Sequence, residues 1–147
     1  DVFIGQFEKM ADGFDQALVA LRKIAGTTAC TVAQSQALAA EMDVAQACAI
    51  HFRSSANQAR FIRARNALAN AATSEAAAPL VADIEKALND EIRLASELYA
   101  IQSRDSRMGY EASNQYYFVP VDLVEKVINC RDLIERWLPA VRATHGI

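Results

Sequence analysis

The sequence predicts an all-α protein, an up-down-up-down four-helix bundle with one long second helix. Three observations carry the prediction. Apolar residues recur at alternating steps of three and four through most of the chain, the helical signature. Residues 31–72 contain neither glycine nor proline. The links at 26–30 and 73–74 are short, which favours antiparallel neighbours. The chain has 147 residues, the length of one domain, and at this size roughly 70% of the unfolded surface can be buried.

The first helix is expected to present Phe3, Phe7, Met10, Phe14, Ala17, Leu21 and Ile24 on one coiled-coil-like stripe and to stop at Gly26. Gly5 and Gly13 each weaken it by about 1 kcal/mol relative to alanine, so it depends on tertiary packing. The second opens near Thr31 and, if unbroken, runs for roughly 40 residues or 60 Å. Its stripe is Leu38, Glu41, Ala45, Cys48, Phe52, Ser55, Ala59 and Ile62, and residues 54–57 are the place for a kink.

The third helix starts at the capping candidates Thr73 and Ser74 and tolerates Pro79 only near its first turn. It carries Val81, Ile84, Leu88, Glu91, Ala95 and Leu98 to about Ser103. The last begins at Pro120, shows Leu123, Val127, Cys130, Ile134 and Trp137, and is expected to end at Pro139. The second helix is longer than the others, so part of its apolar face is expected to project and to meet something outside the bundle. That length mismatch, with a start at Asp1 rather than methionine, fits a fragment of a larger protein better than a chain trimmed of its signal peptide.

Composition narrows function by exclusion. A formal net charge of -3 and a pI near 5.4 argue against nucleic-acid or anionic-membrane binding, both of which need a strong basic field. No apolar run reaches the ~18 residues of a membrane span. Cys30, Cys48 and Cys130 match no CxxC or zinc spacing and read as structural thiols, with a bridge between Cys30 and Cys48 left open.

Glu41 and Glu91 fall on apolar stripes, where a carboxylate must find a partner or a proton. The expected partners are Arg53, Arg60, Arg63 or Arg65 across helices, and those arginines have Asp83, Glu85, Asp90, Glu91 and Glu97 as alternatives. No metal or other cofactor is expected: a diiron bundle needs Glu-x-x-His pairs, and Cys48 and Ala47 stand three and four residues before His51. His51 is the one internally placed histidine for a nucleophilic triad, and no order of residues supports such a triad. Asp105 and Glu111 are two acids in a loop, a weak glycosidase signal. A small enzyme using Glu41, Glu91 or Glu111 lacks visible supporting groups.

Residues 104–120 are what periodicity leaves unexplained. They hold Arg107, Tyr110, Glu111, Asn114, Gln115, Tyr116, Tyr117 and Phe118 between alanine-rich helices. Flat aromatic faces beside planar donors and acceptors suit sugar rings and vicinal hydroxyls. The candidate ligand-binding set is Arg107, Tyr110, Glu111, Asn114, Tyr116 and Tyr117, with the same tyrosines able instead to plug the end of a bundle.

Within 91–131, the run Asp105-Ser106-Arg107-Met108-Gly109-Tyr110-Glu111-Ala112-Ser113-Asn114, with Tyr116-Tyr117, Asp122-Leu123, Glu125-Lys126 and Asn129-Cys130, resembles a C-terminal helical region of large bacterial carbohydrate-active, glycoside-hydrolase-like proteins. There it follows a glycosidase-type barrel. The resemblance covers less than a third of the chain closely and brings no catalytic residue with it. It implies a non-catalytic helical accessory domain beside an adjacent catalytic domain, in an exported, periplasmic or cell-envelope setting, with oligosaccharide as a possible ligand. The alternative is a helical interaction or sensor domain forming a homodimer through its long second helix.

Overall fold

The computed structural model describes residues 2–27, 29–105, 108, 110–111, 116–117 and 119–147. Among these, the chain is helical apart from short links and one two-residue antiparallel pairing. Helix α1 is Val2–Thr27, α2 is Val32–Leu68 and α3 is Ser74–Arg104. The fourth helical segment is α4, Pro120–Asp132, continued by a π-helical turn, Leu133–Trp137, and by α5, Leu138–His145.

Local chemistry explains the helix starts. Thr31 accepts from the Gln34 amide while the Gln34 side chain accepts from Thr31 N–H, a complete capping box that opens α2. Thr73 accepts from the Ala76 amide and opens α3. Pro79 lies just beyond the first turn, where it removes the amide that would bond the Glu75 carbonyl.

Pro139 does not end the last helix. The π turn just before it widens the backbone, with Leu138 N–H reaching back five residues to the Leu133 carbonyl. That widening makes room for the proline ring, and the helix continues to a left-handed cap at Gly146, φ 67°.

Extensive packing follows chain order: α1 on α2, α2 on α3, α3 on α4. Asp12 and Asp15 meet Arg53 while the earlier Glu8 meets the later Arg60, so α1 and α2 run antiparallel. Asp43 meets Arg104, and Ser54 meets Glu91, which does the same for α2 and α3. Two clusters fill the centre. One gathers Ala64, Leu68, Ala77, Val81, Ile84, Leu88, Cys130 and Leu138; the other gathers Ala47, Ile50, Leu94, Ala95, Leu98, Ile101 and Leu123. Alanine at the α2 positions lets α3 approach closely.

The register of α1 differs from expectation. Ile4, Ala11 and Leu18 are its buried row, with Phe7, Phe14 and Leu21 half-buried beside them, while Phe3, Met10, Ala17 and Ile24 are exposed. Either set completes a 3–4 repeat with Phe7, Phe14 and Leu21, and periodicity alone cannot choose between them. Ion pairs decide. Packing the Ile4 row brings Glu8, Asp12 and Asp15 against Arg53 and Arg60.

α2 is unbroken through 54–57. Its uncovered part is its beginning: residues 32–37 are all exposed, and α3 reaches it only where Arg104 meets Asp43.

Candidate functional site

The connector from α3 to α4 carries the whole candidate ligand set. Tyr110–Glu111 and Tyr116–Tyr117 pair antiparallel, Tyr110 opposite Tyr117 and Glu111 opposite Tyr116. Tyrosine favours the extended backbone this requires. Arg107 and Asn114, and the side chains of the four paired residues, lie outside the described residues. At the base of the connector Arg104 holds Asp43 with a two-pronged contact, Nε to Oδ2 2.7 Å and Nη2 to Oδ1 2.5 Å. Beside it Gln102 is buried, and neither of its amide atoms has a hydrogen-bond partner among the described residues.

The main buried polar cluster lies deeper, between α2, α3 and α4. Glu91 is 6% exposed. Its Oε2 accepts from Lys126 Nζ at 2.5 Å and from Ser54 Oγ at 2.8 Å, and its Oε1 accepts from Asn57 Nδ2 at 3.2 Å. Lys126 Nζ also donates to Ser54 Oγ at 2.8 Å, and Arg60 donates to Asn57 Oδ1 at 3.0 Å. Both carboxylate oxygens are thus engaged, as a buried charge requires. The partner of Glu91 is a lysine from α4 and not one of the expected arginines, because Arg53 and Arg60 are turned to the acids of α1. Glu41 is exposed, so its place on an apolar stripe does not hold.

An apolar cleft of about 230 Å³ opens over this cluster, lined by Phe61, Ile62, Leu88, Glu91, Lys126 and Cys130. Burial pushes the Cys130 thiol up, and the Glu91 carboxylate adds to the effect, with Lys126 opposing it. Burial likewise raises Cys48. Neither is an activated thiolate. All three cysteines are free, so Cys30 and Cys48 form no bridge. His51 is half-buried and its pKa is lowered, first by desolvation and then by the Lys126 charge. Both effects disfavour the imidazolium, and the chemistry of the Glu91–Lys126 cluster is that of a satisfied ion pair.

A second feature is the groove of about 820 Å³ between α1 and α3, with Ala56 and Ala87 in its floor and Arg53, Arg60, Arg63 and Lys86 on its walls. Several of its cations are already paired: Arg53 with Asp12 and Asp15, Arg60 with Glu8, and Lys86 with Asp90 at 2.7 Å. Of the acids expected to meet the α2 arginines, Glu85 is taken by Arg142 at 2.7 Å and Glu97 by Arg93 at 2.7 Å. An anion approaching Arg53, Arg60 or Lys86 would compete with carboxylates already in place.

Among the described residues no group of three or more His, Cys, Asp or Glu is placed to hold a metal ion, and no helix is long and apolar enough to cross a membrane. What sequence reasoning missed is surface rather than chemistry. Tyr99, Val124 and Ile128 are exposed along an apolar groove of about 280 Å³ between α3 and α4, and Val121 is exposed one turn earlier on α4. The i, i+3, i+7 spacing of Val121, Val124 and Ile128 was a signal available in the sequence. Comparison with protein-family models, curated proteins and solved structures returned no match.

Proposed function

We propose that the chain is a non-catalytic helical module, a single up-down-up-down four-helix domain belonging to a larger, exported bacterial carbohydrate-processing protein, which it buttresses through the 104–119 connector and the adjoining α3–α4 face. One observation carries this reading. The exposed apolar residues Tyr99, Val121, Val124 and Ile128 lie within 91–131, the same stretch whose sequence resembles the region following a glycosidase barrel. An exposed apolar patch of this kind favours contact with another surface over solvent. The internally satisfied Glu91–Lys126 cluster and the paired arginines speak for a supporting role over a reacting one.

The direct form of the reading gives the connector a glycan-contacting role, with Tyr110, Glu111, Asn114, Tyr116 and Tyr117 meeting sugar and Arg107 orienting the loop. Its support is the antiparallel pairing that brings the Tyr110–Glu111 and Tyr116–Tyr117 backbones together. Titrating the chain with a glycan panel, beside the Tyr116→Ala/Tyr117→Ala double variant, tests it; failure of the unaltered chain to bind any glycan removes this form. For buttressing, the neighbouring catalytic portion is produced as a separate protein and mixed with the chain. Binding that Val124→Glu/Ile128→Glu weakens about tenfold or more supports the reading, and absence of binding ends it.

A further inference from the structure

We propose that a second copy of this chain docks on the α1–α2 face turned away from the arginine groove, forming an antiparallel two-fold dimer of helical hairpins. The face is distinct from the α3–α4 surface and the proposal is independent of the function proposed above. It starts from α1, whose apolar residues make two seams and not one. Ile4, Ala11 and Leu18 face α2. Phe3, Met10 and Ile24, with Ala17 between them, continue a strict seven-residue repeat on the neighbouring flank and are left in solvent, at 59%, 47% and 48% exposure for the three large residues.

Both seams share Phe7, Phe14 and Leu21, which are only half-buried by α2. Phe52 stands between Phe7 and Phe14, with ring centroids 5.8 Å from each. It marks the flank opposite Asp12, Asp15 and Arg53. On the same side of α2, Val44 and Ile62 are exposed and Cys48, Ser55 and Ala59 are half-covered. The result is a surface two helices wide, uncharged from Phe3 to Ile24 along α1.

Three physical arguments select a second copy as the occupant. A sustained 3–4 repeat is the pattern that a helix, inserting knobs between the ridges, reads best, and it fixes the partner's secondary structure. The size fits: α1 has 26 residues, about 39 Å, and two helix widths of about 10 Å each give roughly 800 Å² per copy, the scale of a stable interface. Finally, the shape is self-complementary in one orientation. The N-terminal half of the row is bulky (Phe3, Phe7, Met10, Phe14) and the C-terminal half is smaller (Ala17, Leu21, Ile24), so antiparallel pairing sets large against small in both halves at once, as a two-fold contact demands.

Gly13 adds a detail. It costs helix stability in mid-α1, yet a Cβ placed on it meets nothing within 4 Å. Nothing within the chain calls for glycine there, and it stands next to Phe14 on the open flank, where a second backbone comes close.

Sedimentation velocity of the whole chain over roughly 1 to 200 μM tests the proposal, since a contact of this area reaches micromolar affinity or better. Expected is a concentration-dependent dimer that Met10→Glu/Ala17→Glu weakens about tenfold or more; both positions are exposed in the single chain, so far-UV circular dichroism and melting of the dilute protein stay unchanged. Labelling of Cys48 by a maleimide slows as the dimer forms. A chain that remains monomeric throughout overturns the proposal. So does a dimer that survives Met10→Glu/Ala17→Glu and is dissociated by Ile128→Glu, since the association then runs through the α3–α4 face.

Discussion

Lys126 Nζ lies 2.5 Å from Glu91 Oε2, joining α4 to α3 at a carboxylate that Ser54 and Asn57 of α2 also hold. Three helices therefore meet at one buried charge, and their relative registers are fixed there. A one-turn slip of α4 would strand the carboxylate without its counter-ion, a strongly destabilising change.

Removing one partner is thus worse than removing both. Lys126→Met is expected to destabilise by roughly 2–3 kcal/mol, less than a fully buried pair because Lys126 keeps some solvent contact and Glu91 retains Ser54 and Asn57. Glu91→Met/Lys126→Met recovers at least half of that loss. Urea unfolding of the three proteins, compared at equal slope, measures it.

His51 makes stability depend on pH. Its folded-state pKa lies below its unfolded value, because desolvation and then Lys126 disfavour the imidazolium. The unfolded chain therefore takes up the proton first as pH falls, and stability present above about pH 6.5 declines below it. Melting temperatures between about pH 7.5 and 5.5 should fall for the unaltered chain and fall less for His51→Gln. An unchanged slope in the variant would assign the effect to other groups.

Arg53 bridges two acids of α1, Asp12 at 3.1 Å and Asp15. Arg53 is 30% exposed and the two acids are more so, so the worth of the contact is discounted for solvent. Arg53→Ala is expected to cost about 1 kcal/mol in low salt and less at high salt. Chemical denaturation by urea at two ionic strengths separates this from a packing loss, which salt would not diminish.

Leu138 is fully buried, 0% exposed, directly after the π turn. Leu138→Ala is expected to destabilise by about 2–5 kcal/mol through lost transfer energy and a cavity among Val81, Ile84 and Leu88. Val124→Ala, on the exposed face, should change stability by less than about 0.5 kcal/mol. Thermal melting of both variants checks the contrast.

The helices were legible because their signals are local. The second helix was expected to open near Thr31 and the third at Thr73 and Ser74, as they do, and the α3 residues Val81, Ile84, Leu88, Glu91, Ala95 and Leu98 lie buried as their spacing predicts. Glu91 was legible as a carboxylate in need of a partner, but the partner was not. Choosing Lys126 over an arginine depends on which side of α3 the last helix occupies, and no residue near Glu91 in sequence carries that information. Glu41 and Glu91 looked alike on their stripes; only one is covered by neighbours.

Pro139 shows the same limit from the other direction. A proline ends a helix unless the preceding turn widens, and the widening at 133–137 goes with the burial of Leu138 in the α3 cluster. The candidate residues of the connector were picked out by composition alone, since no periodicity runs through 104–120.

By itself, then, the sequence determined that this chain is helical, where its helices begin and which residues are apolar along each, since 3.6-residue periodicity and capping act between residues close in the chain. Tertiary structure alone decided which of two overlapping seams on α1 is buried, which acid receives which cation, and which apolar faces stay open. Those outcomes depend on contacts between residues tens of positions apart, where the energy of a charge or an apolar side chain is set by what happens to pack over it.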